Sequence, residues 1–290
     1  MKVRKAVIVA AGLGTRMLPA SKVIPKEMLP VVDTPAIQIV VEEAVASGIE
    51  EIVMVVAPQR TTVLEHFRPA PALERELEAR GKREILQAVR RTNHLARFTQ
   101  AEQAEPLGLG HAVLQARDAV GGEPFAVILP DDILDCPRPC LAQLLAASEK
   151  TGGAPVVALM RVARSEISKY GIVDAKAAGE RLYELAGMVE KPSPDTAPSD
   201  LAIVGRYILT PDVFEFLAEG KRGAGGEIQL TDALMALAKR RKFYGYEFEG
   251  VRYDLGDRLG YITAQIGFGL KRPDLADRLR AYLKSVIAQS

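Results

Sequence analysis

Ala6-Val7-Ile8-Val9-Ala10-Ala11-Gly12-Leu13-Gly14-Thr15-Arg16 is the stretch on which the fold turns. Its apolar start is short, continuous and rich in β-branched residues, which suits a strand covered on both faces. The glycines that follow let backbone N–H groups turn toward an anion with no Cβ in the way. Alone, the pattern also fits a plain tight turn. Two familiar phosphate loops do not fit. The mononucleotide P-loop needs a second glycine followed by Lys and Ser or Thr, whereas Met17 and Leu18 stand here. The dinucleotide fingerprint wants glycine at Met17 and a helix where Pro19 falls.

Downstream, Pro19, Pro25 and Pro30 break the chain into a long loop that carries Arg16, Lys22 and Lys26. Arg offers a planar fork to phosphate oxygens and Lys a mobile point charge, although a solvated basic loop has the same composition. Thr34-Pro35 then reads as an N-cap and first-turn proline for a helix carrying Ile37, Val40, Val41, Ala44 and Val45 and stopped by Gly48. A strand is expected over 52–56, charged amphipathic segments over 61–67 and 73–90, and a strand over 98–103. Gly108-Leu109-Gly110 opens a helix over 111–119, and a strand over 125–129 ends at Pro130-Asp131-Asp132. Strands alternating with helices imply parallel pairing with right-handed crossovers. Ligands gather at the carboxyl ends of such strands, so the loops after Ala10 and Leu129 share one rim.

The second half reads as strands over 156–162, 171–174, 182–190 and 201–209 with short loops, hence mixed or antiparallel pairing. Helices are expected over 211–217, 228–240, 259–268 and 274–288. With no repeat and no low-complexity linker, the fold class is α/β: a Rossmann-like mixed, mostly parallel sheet flanked by helices, one domain over 1–290.

Composition bounds the function. The 290 residues are 48% hydrophobic and 26% charged, with 38 Lys plus Arg against 37 Asp plus Glu. A net charge of +1 lacks the basic footprint of a nucleic-acid coat or membrane-surface protein. Two Cys and three His are too few for a zinc framework or a disulfide scaffold. No apolar run approaches the roughly 20 residues of a transmembrane helix. The basic start followed by Ala6 to Ala11 imitates a secretory signal, but it is short and ends in a glycine loop, so it reads as the first strand of a cytoplasmic protein.

Gly12 to Arg16 followed by Pro25-Lys26-Glu27-Met28-Leu29-Pro30 resembles the signature of the sugar-1-phosphate nucleotidylyltransferases, most of all the bacterial uridylyl group. Gly108-Leu109-Gly110-His111-Ala112, Leu129-Pro130-Asp131, Val189-Glu190-Lys191-Pro192 and the run Gly226 to Asp232 agree in order. The resemblance spans Lys5 to about Lys271. It implies a nucleotidyltransferase fold with residues 1–135 mainly on the nucleotide side, 136–270 mainly on the sugar-phosphate side and a C-terminal helix over 271–290. The implied reaction joins UTP and glucose 1-phosphate into UDP-glucose and pyrophosphate.

Carried over by position, Ala11, Gly12, Gly14, Thr15, Arg16 and Lys26 hold the triphosphate, and Gln103 and Gly108 meet the uracil. Gly171, Glu190 and Lys191 take the sugar phosphate, and Asp131 and Asp254 bind Mg²⁺. Arg16, Lys26, Asp131 and Lys191 are the residues expected to carry turnover. A homo-oligomer, dimer or tetramer, with contacts through the C-terminal helices is also implied, with neither nucleic acid nor membrane as partner. Glu102 and Leu107 depart from the family, which often has basic residues there. The rivals are a thymidylyltransferase using glucose 1-phosphate and a non-catalytic nucleotide-sugar-binding regulatory protein.

The chemistry agrees with this residue set. A sugar phosphate is already an anionic nucleophile and pyrophosphate leaves without a proton, so positioning and charge neutralisation suffice. Asp132 and Asp135 read as structural, Cys136 and Cys140 as ordinary thiols, His111 as a hydrogen-bonded helix-start residue, and His66 and His94 as residues without a nameable partner. Tyr170, Met188 and Tyr207 fit packing as well as sugar contact, and Lys239 to Lys242 fits a solvated helix end.

Overall fold

The strand that opens the chain, β1 (Lys5–Ala10), buries Ala6, Val7 and Ile8 completely, as its β-branched run requires. The computed structural model describes residues 2–58 and 60–289. In the first half follow β2 (Pro30–Val31), β3 (Thr34–Pro35), β4 (Glu51–Val56), β5 (Arg97–Glu102), β6 (Phe125–Ile128) and β7 (Asp132–Asp135). The second half adds β8 (Val156–Arg161), β9 (Gly171–Gly179), β10 (Leu182–Glu190), β11 (Leu201–Leu209), β12 (Tyr244–Glu247) and β13 (Val251–Asp254).

Nine of these strands form one sheet in the order β5-β4-β1-β6-β11-β8-β12-β10-β9. From β5 to β6 the pairings are parallel. Beyond β6 they are antiparallel except for β8 against β12. The sheet is therefore mixed as expected, but its parallel character belongs to the first half rather than to most of the sheet. The reason is local: a tight turn joins β9 directly to β10, and two strands joined that way can only run antiparallel. Alternation within β1 sends Ala6, Ile8 and Ala10 to one core and Val7 to the other, so each face of the sheet carries its own hydrophobic layer.

Three local expectations change. The first long helix begins at Ala36 with Pro35 preceding it and no side-chain cap; the Thr34 hydroxyl instead donates to Asp33 Oδ1 at 3.2 Å, while Thr34–Pro35 pairs with Pro30–Val31. The amphipathic stretch 73–90 is two helices, Pro71–Ala79 and Arg83–Thr92, because Gly81 takes φ 66° between them. The helix over 111–119 divides into Leu109–Gln115 and Arg117–Val120.

Off the main sheet, β7 pairs antiparallel with β13. That ladder sets Asp254 directly across from Asp132, next in sequence to Asp131.

Candidate active site

Gly14 holds φ 66° and ψ 30°, the left-handed conformation that glycine adopts without steric cost. A Cβ there would lie 3.2 Å from Ser21 Cβ and 3.4 Å from Lys26 Cβ, so the glycine also lets the loop fold back on itself. The Ser21 hydroxyl closes the turn by donating to Gly14 O at 2.7 Å. Lys26 passes beneath, its Cε 3.9 Å from where a Gly12 Cβ would stand, and donates to Asp131 Oδ2 at 2.6 Å.

Arg16 completes the rim. Its guanidinium is 3.8 Å from Asp131 Oδ2 and 3.9 Å from Asp254 Oδ2, so the two carboxylates converge on one positive charge. Asp254 is held by the backbone N–H of Gly256 at 2.9 Å, and Asp131 O accepts from Leu255 N at 2.8 Å. Burial pushes the Asp131 carboxyl up, but the Lys26 ammonium outweighs it and holds its pKa below the ordinary value. Burial likewise pushes Lys26 down, and the Asp131 charge and hydrogen bond raise it above the ordinary lysine value. Both groups are therefore charged at neutral pH.

The residues expected to meet the base gather two strands further along the same rim. Gln103 follows β5 and donates through Nε2 to Gly108 O at 3.0 Å, with His111 Nδ1 at 3.1 Å. Gly108 has φ 110°, and a Cβ on it would meet Ile228 O at 2.9 Å. The 226–232 motif thus backs this loop: Ile228 N donates to Leu107 O at 2.7 Å and Gly110 N to Ile228 O at 2.8 Å. Leu107, where the family often has a basic residue, engages the motif through its backbone. Glu102 lies exposed and accepts from Gln100.

On the sugar side, Gly171 pairs with Glu190 across β9 and β10. Glu190 Oε2 accepts from the Thr231 hydroxyl at 2.8 Å, and Lys191 Nζ lies 3.3 Å from Glu190 Oε1. Lys191 itself takes φ 47°, and its N–H donates to Tyr170 O at 3.0 Å. A non-glycine residue in that region is held there by its surroundings.

Three supports had no sequence signal strong enough to find them. Arg206, fully buried, pairs with Glu43 Oε2 at 2.7 Å and donates to Leu129 O at 3.1 Å and Asp132 O at 2.9 Å, bracketing Asp131. Arg252 donates to Asp132 Oδ1 at 2.6 Å and to Asp254 Oδ2 at 3.2 Å. Arg60 reaches Gly12 O at 3.2 Å.

The residues read as ordinary behave so. Asp132 is buried and bonded to Arg252 and Gly205 N, and Asp135 pairs with Lys271. Burial pushes the Cys136 thiol up to about 12 and Cys140 up as well, so neither supplies a thiolate. His66, expected to lack a partner, lies 2.9 Å from Gln38 Oε1. Met188 and Tyr207 are buried in the core. Arg240, Arg241 and Lys242 pair with Glu215, Asp212 and Glu184 at the surface.

Two carboxylates and two cations thus meet at the carboxyl rim of an α/β sheet, beside a left-handed glycine turn. The family model for nucleotidyl transferases matches residues 5–267, and the chain belongs to that family. It is 47% identical over 286 residues to the UTP–glucose-1-phosphate uridylyltransferase of Bacillus subtilis, covering 99% of this chain and 98% of that one. It is 46% identical over 285 residues to UTP–glucose-1-phosphate uridylyltransferase 2 of Staphylococcus saprophyticus, covering 98% of each. Among solved structures, UDP-glucose pyrophosphorylase complexed with UDP-glucose superposes with a TM-score of 0.86 at 41% identity, over 93% of this chain and 100% of that one.

Proposed function

We propose that the chain is a uridylyltransferase forming UDP-glucose and pyrophosphate from UTP and glucose 1-phosphate. The observation that carries the reading is the rim on which Arg16, Lys26, Asp131 and Asp254 meet, in a chain similar end to end to enzymes named for this reaction.

The Gly12 to Arg16 turn, continuous with Ala11 and β1, presents backbone N–H groups and the Arg16 fork to the triphosphate. Thr15 stands in the same turn, and Lys26 neutralises charge from below. Gln103 both donates and accepts, as the imide face of uracil requires, with Gly108 admitting the base at close range. Glu190 accepts from glucose hydroxyls, Gly171 leaves room beside it, and Lys191 grips the sugar phosphate. This aligns an oxygen of that phosphate with the α-phosphorus of UTP, and no general base is needed.

Mg²⁺ fits the donor set. Asp131 and Asp254 already converge on the Arg16 cation, and magnesium takes one or two carboxylates with the rest from water and phosphate oxygens. When bound, the ion supplies screening between the two phosphates. Self-association through the C-terminal helices belongs to the same proposal, supported by the exposure of Leu259, Ile262 and Tyr282, and so does a cytoplasmic location. No helix among the described residues is long and apolar enough to cross a membrane.

The test is pyrophosphate release from purified protein with glucose 1-phosphate and Mg²⁺, offering UTP, dTTP, CTP, ATP and GTP in turn. A strong preference for UTP is expected. Preference for dTTP would move the base assignment to a thymidylyltransferase. No release from a protein that still binds UDP-glucose would make it a regulatory binding protein.

A further inference from the structure

Arg252 is the one side chain described above that touches both Asp254, one of the two carboxylates assigned to the metal, and Tyr170, which leads into the loop assigned to the sugar. On β13 it lies two residues before Asp254, so both project to one face, and the β13–β7 register makes Asp132 its diagonal neighbour. Its Nε donates to Asp132 Oδ1 at 2.6 Å, with Nη2 also on that oxygen, and Nη2 reaches Asp254 Oδ2 at 3.2 Å. The remaining terminal nitrogen turns the other way: Nη1 donates to the Tyr170 hydroxyl at 3.0 Å, and the guanidinium carbon stands 5.2 Å from the Tyr170 ring centroid. Tyr170 in turn is fixed to the sugar loop, its carbonyl accepting from Lys191 N and its chain continuing into Gly171, which pairs with Glu190.

Every link in this chain is short and directional. The side chain of Arg252 is only 13% exposed, so water competes weakly for its donors. A guanidinium is planar and rigid, so a shift of the carboxylates at one edge is transmitted to the hydroxyl at the other. A lysine, with a single nitrogen on a flexible stem, cannot span the three partners.

We propose that Arg252 is a positioning residue that couples Asp254 to the sugar-phosphate loop through Tyr170, so that filling the metal position and filling the sugar position strengthen each other. The proposal deepens the uridylyltransferase reading and rests on it.

The test is the affinity of UDP-glucose and of the β-methyl ester of UDP, which carries the same charge but no sugar, each measured by titration calorimetry in EDTA and in saturating Mn²⁺. Direct contact between diphosphate and ion strengthens both ligands alike; the coupling strengthens only the ligand that carries the sugar. In the wild type the Mn²⁺ enhancement for UDP-glucose is expected to exceed that for the methyl ester by about fivefold or more. In Arg252→Lys and in Tyr170→Phe the two enhancements become equal. Tyr170→Phe keeps the ring on the guanidinium and removes only the hydroxyl, so it separates loss of the link from loss of folding.

In pyrophosphate-release assays both variants raise the KM for glucose 1-phosphate and leave that for UTP unchanged. Equal enhancements in the wild type, or a wild-type excess retained in either variant, overturn the coupling. A wild-type protein that fails to bind UDP-glucose even with Mn²⁺ overturns the functional reading beneath it.

Discussion

Glu27 follows the buried Lys26 in the nucleotide loop, and its carboxylate is 98% removed from solvent with neither oxygen hydrogen-bonded. Burial raises its pKa above the ordinary glutamate value, and the Lys26 charge offsets only part of that. Below the pKa of the unfolded chain, the carboxyl is protonated in both states and costs nothing. As pH rises through the raised native value, folding must either keep a proton the unfolded chain has lost or bury a charge, and stability falls. Glu27→Gln removes that penalty. It is expected to match the wild type near pH 4 and exceed it at pH 8 by about 1 kcal/mol, read as a melting temperature higher by about 2–4 °C. A variant less stable than the wild type at pH 8 would mean that the carboxylate has a donor in solution. At the same scale, Lys191→Ala and Asp131→Asn should each lower kcat/KM by at least about 100-fold while the far-UV circular dichroism stays that of the wild type. Near-normal turnover in either would remove that residue from the site.

Among the elements, the β11 strand does more than close the sheet. Its Gly205 N–H donates to Asp132 Oδ2 at 2.9 Å, and Arg206 grips Leu129 O just after β6, Asp132 O at the start of β7, and Glu43. Removing the arginine leaves a nearly buried carboxylate without its counter-charge and takes one donor from each of the two carbonyls. Arg206→Met should therefore cost about 3–5 kcal/mol in urea unfolding. Glu43→Leu combined with Arg206→Met should recover part of it, because the lone charge is then gone. A double variant no better than the single one would locate the cost in the loop carbonyls instead. These supports explain what the sequence could and could not reveal. The strands with unbroken β-branched runs, β1, β4 and β6, and the glycine turn after Ala10 are legible because their pattern is local. The short β7, β12 and β13 were missed, since a four-residue strand carries too little periodicity to stand out. Arg206 and Arg252 were missed for a different reason: a buried arginine is defined by partners scattered from Glu43 to Asp254, and no spacing encodes them. The site residues that were legible sit in contiguous motifs, and what joins those motifs is tertiary.

At the scale of the whole molecule, the first half (1–135) and the second (136–270) are not separate bodies. β6 from the first half pairs with β11 from the second, so one sheet runs through both. The two hydrophobic layers divide by sheet face rather than by sequence. One joins Ile8, Ile52 and Ile128 with Val156, Val204 and Tyr244; the other joins Val7, Val55 and Val127 with Leu159, Tyr207 and Phe243. Unfolding either half would expose apolar surface on both faces of the other and strip the ladder from β6 or β11. Uncovering apolar area costs about 25 cal/mol for each Å², which opposes any state with one half folded alone. The chain should therefore melt as one unit. In differential scanning calorimetry a single transition is expected, with calorimetric and van't Hoff enthalpies in agreement once measured per cooperative unit. UDP-glucose at about 100 times its dissociation constant should move that one transition upward by an amount equivalent to about 2.7 kcal/mol. Two resolved transitions, with only one of them shifted by the ligand, would show that the halves fold independently and that the ligand touches just one. A single shifted transition places the nucleotide and sugar residues on one cooperative scaffold, as coupling between the two ligand positions requires.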